Sequence, residues 1–319
     1  MADELGEKTA AERRSRATAA GTEGSQPTQW GSERVNRSTM HGLWALTNRE
    51  LQKWYKVPVL LLMSLIQPII WLGLFGKAMN FGAIFSGGSF NIPGLNIPKQ
   101  VLDSLSSTIM QSTFGTTDYF SFLAVGMLAF VCLFTAMFSG MSILWDRRLG
   151  FLDKVLSTPV SRGTIIMGKV LSSVVRSLAQ AAVVLLIAIP LGLDLGKITL
   201  FGVLGTFAAM FLMTLGFSAL FLTLALRSTD WQSQMAIMNL LNLPLLFGSN
   251  ALFPSKLMPD WLQAFVSINP ISYATDAGRQ LLLGTTGFAS LGFDFAYLAG
   301  FAILLSALGV FLSWKLLTK

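Results

Sequence analysis

Apolar residues fall in six long runs, approximately over 57–79, 119–144, 168–193, 198–226, 233–253 and 293–314, separated by polar stretches. Each run is close to the roughly 20 residues a helix needs to cross a hydrocarbon core. Basic residues mark alternate ends of these runs. Arg49, Lys53 and Lys56 precede the first; Arg147, Arg148, Lys154, Arg162 and Lys169 lie between the second and third; Arg227 follows the fourth, and Lys315 and Lys319 the sixth. The opposite ends hold only Lys77, Lys99, Lys197, Lys256 and Arg279. That asymmetry predicts both termini in the cytoplasm, with Trp71, Trp145, Trp231, Trp261 and Trp314 as interfacial anchors.

Between the runs, shorter patterns predict further elements. Residues 1–39 are polar and without apolar periodicity, as expected of a disordered cytoplasmic tail. No signal-peptide pattern opens them. Over 40–56, Met40, Leu43, Trp44, Leu51, Trp54 and Tyr55 recur at helical spacing, with Arg49, Gln52, Lys53 and Lys56 elsewhere on the wheel. This predicts an amphipathic helix in the membrane interface. Residues 80–118 read as a Gly- and Asn-rich outer loop, with a short helix suggested by Val101, Leu102, Leu105 and Ile109. Over 254–284, one helix can start at Pro259 and must end by Asn269-Pro270, and a second can run from about Ser272 to Leu283 with Gly284 as its stop. Each half is too short to span, which predicts a re-entrant or outer-surface hairpin. The segment 145–162, WDRRLGFLDKVLSTPVSR, is also too short to span. Phe151, Leu152, Val155 and Leu156 fall on one face, opposite Asp153 and Lys154, the pattern of a stripe made to dock on another protein. The fold class is therefore an all-α polytopic membrane protein of six transmembrane helices, residues 40–319 forming one membrane domain after the tail.

Composition narrows the chemistry. The chain is 53% hydrophobic and 12% charged, with a mean hydropathy of +0.60, against about 25% charged for a soluble domain. The net charge of +7 follows the span ends, so it signals topology rather than nucleic-acid binding. One cysteine, Cys132, and one histidine, His41, leave no disulfide framework and no zinc or haem site. Six of the sixteen carboxylates lie in the tail, and the other ten sit at predicted span ends or in loops. An ion-coupled transporter usually keeps a carboxylate relay at membrane depth, and an intramembrane hydrolase needs an acid, base or metal cluster. Both classes are disfavoured. The run GTIIMGK, Gly163 to Lys169, mimics a phosphate-binding loop. Val170 replaces the magnesium-binding hydroxyl and no strand precedes it, so nucleotide binding is rejected.

Arg176 is the one clear charge inside a run, sharing a face with Ser173 and Gln180. It either lines a path through the membrane or snorkels to the surface. Cys132, Thr135, Ser139 and Ser142 form a polar stripe on the second run, where Ala136 and Gly140 are a small-residue pair. Asn239, Asn242 and Ser249 form another on the fifth, broken by Pro244. Such stripes either knit helices together or line the route of an amphipathic substrate.

Three motifs, DRRLGFLDKVLSTPVSR with the following IIMGKVL, FPSKLMPDWLQ, and NPISYATDAGRQLLLG, together with the order of spans, resemble type-2 ABC exporter permeases of the daunorubicin-resistance or polysaccharide-exporter type. The resemblance covers nearly everything after residue 40. It implies a half-transporter, in which two permease copies, commonly a homodimer, work with two ATPase subunits that carry the ATP and magnesium. The permease itself would be no enzyme and would move a drug, lipid or glycan-lipid outward across the cytoplasmic membrane. It also implies that the segment from Gly150 to Pro159 is the coupling helix, with Asp146, Arg147, Arg148, Gly150, Phe151, Leu152, Lys154, Val155, Leu156 and Pro159 at the ATPase contact. Many relatives carry two acids before the glycine; here Asp146 holds the first position and Arg148 stands at the second. Arg176, Gln180, Thr135, Ser139, Asn239 and Asn242 are the candidates for a substrate path. A non-transporting scaffold or assembly factor, or a channel, would fit the same run pattern.

Overall fold

The computed structural model describes residues 39–56, 58–76, 99–116, 118–157, 161–194, 196–228 and 230–316. The tail through residue 38, the loop 80–98, Lys77, Pro159 and Lys319 lie outside the described residues. Helices account for nearly all the rest: α1 Thr39–Tyr55, α2 Pro58–Trp71 (continued by a π-helical turn, Leu72–Gly76), α3 Lys99–Phe114, α4 Tyr119–Arg148, α5 Phe151–Leu156, α6 Arg162–Gly192, α7 Leu200–Arg227, α8 Trp231–Phe247, α9 Asp260–Val266, α10 Pro270–Leu283 and α11 Leu291–Leu316. Among the described residues there is no strand.

Four of these, α4, α6, α7 and α11, are long and apolar enough to cross a bilayer. The two remaining runs expected to span, 57–79 and 233–253, are carried by shorter helices. In the first, Pro68 sits inside α2, and 77–79 lie outside the described residues. In the second, α8 holds Pro244 near its end and stops at Gly248, whose N–H bonds the Pro244 carbonyl at 2.8 Å. The long helices overrun the apolar windows. The α4 helix continues to Arg148, and α6 begins at Arg162 because Ser161 accepts a hydrogen bond from the Thr164 N–H at 3.2 Å. Such a cap satisfies a backbone donor that the first helical turn leaves open. Asp118, Thr199 and Asp230 cap α4, α7 and α8 in the same way.

The centre of the fold is α4, buried along most of its length and packed between α6 and α7, while α10 and α11 lie on α7 and α1 lies on α6. Gly140 lets α4 approach α7: a Cβ there would stand 2.7 Å from the Phe221 carbonyl oxygen. The small pair Ala136–Gly140 thus works by close approach. Of the polar residues in that stripe, Cys132, Thr135 and Ser142 bond across to α6, while Ser139 turns back on its own helix. The Ser139 hydroxyl is buried and bonds the Ala136 carbonyl at 2.6 Å, and Cys132 is fully buried against the Ser177 carbonyl. Ser173 bonds the Thr135 carbonyl and accepts from Ser218.

The α1 helix turns Met40, Trp44 and Tyr55 outward and buries Thr47 and Glu50 against α6. The Thr47 hydroxyl reaches the Gly168 carbonyl at 3.3 Å. Its inner face therefore includes residues from the polar side of the wheel. Between Pro254 and Gly284 two short helices form. Pro259 precedes α9 instead of opening it, and Asn269 caps α10, which starts two residues ahead of the expected Ser272. Gly284, at φ 62°, ends α10 in the left-handed conformation that favours glycine. The first helix is largely exposed and the second is buried against α7, α11 and α4.

Candidate functional site

Where α1, the end of α4, α5 and the start of α6 meet, five charged side chains converge. Lys169 Nζ lies 2.5 Å from Asp146 Oδ2, 3.3 Å from Glu50 Oε1 and 3.2 Å from the Ser142 hydroxyl. Lys53 Nζ donates to Asp146 Oδ1 at 3.0 Å and to Glu50 Oε1 at 2.9 Å. Arg49 reaches the same two carboxylates at 3.4 and 3.3 Å. Its guanidinium lies 3.3 Å from the centroid of the Phe151 ring, a cation–π contact that ties α1 to α5. Glu50, Asp146 and Lys169 are buried, whereas Arg49 and Lys53 are partly exposed. Buried charges persist only when paired and hydrogen-bonded, and here each is met at least twice. Only Asp146 of this group stood among the sequence candidates. The available signal was Lys169 at the very head of an apolar run, where burial would demand a carboxylate from elsewhere in the chain.

Phe151, Leu152 and Val155 of α5 face this cluster. Leu152 and Val155, expected to meet a partner, instead lie buried against the chain's own helices, Leu152 in a core with Ile143, Ile166 and Val170. Asp146 is likewise turned inward. Arg147 donates to the Leu226 and Ser228 carbonyls at 3.3 and 3.2 Å, capping the end of α7 with a positive charge. Among the described side chains, the segment presents outward Trp145, Arg147, Arg148, Leu149, Lys154 and Ser157, with Leu149 73% exposed. Gly150, at φ 63°, makes the turn from α4 into α5. Leu156 closes α5 in the backbone.

A second feature is a groove of about 430 Å³ between α2, α4 and α6, with Trp54 of α1 at its edge. Of the six path candidates, Thr135, Arg176 and Gln180 line it. The Thr135 hydroxyl hydrogen-bonds Gln180 Oε1. Phe130, Phe134 and Phe138 of α4 also line the groove, a ladder with ring centroids 4.6 and 6.3 Å apart. Ser139 lies outside the groove. Asn239 is exposed on α8, and Asn242 on the same helix keeps a buried Oδ1 without a hydrogen bond among the described residues. Those three are not brought together with Arg176.

The third feature sits at the other end of α4. Arg279 of α10 donates to the Asn250 carbonyl at 2.7 Å, the Ala251 carbonyl at 2.8 Å and the Phe122 carbonyl at 3.1 and 3.3 Å, and lies 3.4 Å from the Phe122 ring centroid. It is 3% exposed. The guanidinium holds the non-helical carbonyls that follow α8. Nearby, Asp276 accepts from Gln280 at 3.1 Å and from the Ala289 N–H at 3.3 Å, and burial pushes its carboxyl above the usual range. These contacts are structural; among the described residues no group of three or more His, Cys, Asp or Glu could hold a metal ion.

Comparison with known proteins bears directly on this arrangement. Residues 41–283, from α1 through α10, match the family described as ABC-2 type transporter. A protein of Pyropia yezoensis named as transport permease ycf38 is 31% identical over 240 residues, covering 74% of this chain and 72% of its own. The daunorubicin resistance ABC transporter permease protein DrrB1 of Streptomyces coeruleorubidus is 30% identical over 189 residues, 58% of this chain and 65% of its own. A permease of Escherichia coli strain K12, YbhR, named for multidrug ABC transport, is 29% identical over 172 residues, 52% and 45% of the two chains. The match takes in the ion cluster, the groove and the Arg279 contacts alike, and the relatives are permeases rather than ATPases. The chain belongs to the ABC-2 type transporter family, as a membrane permease.

Proposed function

We propose that this chain is the membrane subunit of an ATP-driven exporter, acting as two copies with two ATPase subunits in the cytoplasmic membrane. ATP and magnesium belong on the ATPase. The segment Trp145–Ser157 carries this reading. It lies between two long apolar helices, is tied to α1 by the ion cluster, and presents exposed Arg148, Leu149 and Lys154 to a partner. Six crossings with both termini cytoplasmic follow from the basic residues at alternate ends of the runs. Closure of the ATPase pair pushes on the exposed edge of α5, and the rigid helices carry that displacement to the permease interface. The cargo is hydrophobic or amphipathic, in keeping with the daunorubicin and multidrug names of two relatives.

Leu149→Asp and Lys154→Glu test the coupling, because neither side chain supports the core. Copurification with the ATPase and stimulated ATP hydrolysis are both expected to fall, while the permease melts as wild type does. Unchanged copurification and hydrolysis would move the docking surface elsewhere. Cysteines introduced at Ser157 and Lys256 should label from opposite sides of the membrane, and labelling from one side would overturn the six-crossing topology.

A further inference from the structure

We propose that the groove between α2, α4 and α6 binds an anionic phospholipid, its phosphate on Arg176 and an acyl chain along the Phe138–Phe134–Phe130 ladder. Three independent features favour that occupant. The first is an unanswered charge. Arg176 Nε is buried without a hydrogen bond, and the guanidinium has no ion pair among the described residues. An ionised side chain inside an apolar helix marks a functional site by default, and its missing partner must be an anion. The chain answers it only at a distance: Glu50, already paired with Lys53 and Lys169, acts on Arg176 electrostatically, and no carboxylate lines the groove. The ion cluster one turn-pair back along α6 already sets three cations against two carboxylates.

The second feature is the mixed lining. Arg176 and Gln180 of α6, joined by Thr135 of α4 through its hydrogen bond to Gln180, supply polar groups, and three phenylalanines spaced four residues apart on α4 supply an aromatic lining. Such residues stack on one helix face and extend over about 12 Å of rise. A small inorganic anion would satisfy only the polar groups and a neutral hydrocarbon only the aromatic lining, whereas an acidic amphiphile satisfies both. The third is depth. Arg176 follows Lys169 by seven residues, about 10 Å along the helix. In the orientation proposed above, on which this point rests, the headgroup bound there sits below its neighbours in the cytoplasmic leaflet, reached past Trp54 at the groove's edge. Basic pockets between membrane helices on that side are known to select acidic headgroups.

The test needs neither transport nor the ATPase, so its failure is separable from failure of the exporter reading. The purified permease in detergent is titrated with phosphatidylglycerol or phosphatidylcholine and the bound lipid is counted by native mass spectrometry. Wild type is expected to retain phosphatidylglycerol preferentially. Arg176→Gln should weaken that binding about tenfold or more, as loss of a charge-assisted contact implies, and Arg176→Lys should restore most of it. Gln67→Trp, at an exposed position lining the groove, fills the space without touching the charge and should displace the lipid as well. Equal binding of the two lipids by wild type would overturn the proposal. So would unchanged phosphatidylglycerol binding in Arg176→Gln, or in Gln67→Trp should the arginine variant fail to fold.

Discussion

Replacing Lys169 by methionine removes one charge from the centre of the ion cluster while keeping the length of the side chain. Asp146 and Glu50 are then left buried, at 3% and 5% side-chain exposure, with their innermost partner gone. Removing one member of a buried pair typically costs about 3–5 kcal/mol. Arg49 and Lys53 still reach both carboxylates, but at 32% and 45% exposure they are screened by solvent. We therefore expect a cost of about 2–3 kcal/mol, which corresponds to a fall of roughly 5–10 °C in melting temperature for a domain of this size. The assay is thermal unfolding of the detergent-solubilised permease at fixed scan rate, run on Lys169→Met, Asp146→Leu and the double variant. Since the two side chains touch, the double variant should be less destabilised than the two singles added together, by about 1 kcal/mol or more. Strict additivity, or a Lys169→Met protein that melts as wild type does, would refute the claim that this contact holds α4 to α6.

Three further outcomes follow from other contacts. Arg279→Lys should destabilise nearly as much as Arg279→Ala, because one ammonium cannot meet the Phe122, Asn250 and Ala251 carbonyls together; the melting temperatures of both variants check this. Gly140→Val puts carbon within 2.7 Å of the Phe221 carbonyl, so overpacking of about 1–3 kcal/mol should appear as a lower yield of monodisperse protein. Burial raises the Asp276 carboxyl above its ordinary 3.8, so the folded state binds the proton more tightly than the unfolded one. Its contribution to stability is full below that ordinary value and is lost as pH rises through the folded one; Asp276→Asn should remove this slope from the melting temperature measured against pH.

The long helices were legible because burial in lipid or protein leaves a simple mark, an apolar run of the right length. Their ends were less so. The α6 helix begins six residues ahead of its apolar window because a serine cap, a polar event, starts it. The direction in which the α5 stripe faces was not legible at all: an apolar stripe has the same spacing whether its partner is another chain or the helices on either side. The ion cluster escaped for a related reason. Glu50 and Lys169 are separated by 119 residues, and only the packing of α1 on α6 joins them. The burial of Arg279 was not legible either, since its place among the basic residues of the opposite ends says nothing of the Asn250 and Ala251 carbonyls it meets after α8. By contrast, Thr135, Arg176 and Gln180 could be grouped in advance, since Arg176 and Gln180 share one helix face and Thr135 came from the polar stripe of α4.

The α4 helix runs unbroken for 30 residues, carrying the carbonyl held by Arg279 at Phe122 and the carboxylate held by Lys169 at Asp146. Those points are about 36 Å apart along the axis. With no proline inside it, a helix of this length moves largely as one rod. A tilt of about 5° about its midpoint moves each end roughly 1.6 Å in opposite directions, so a push at the basic end reaches the far end without any change of secondary structure between them.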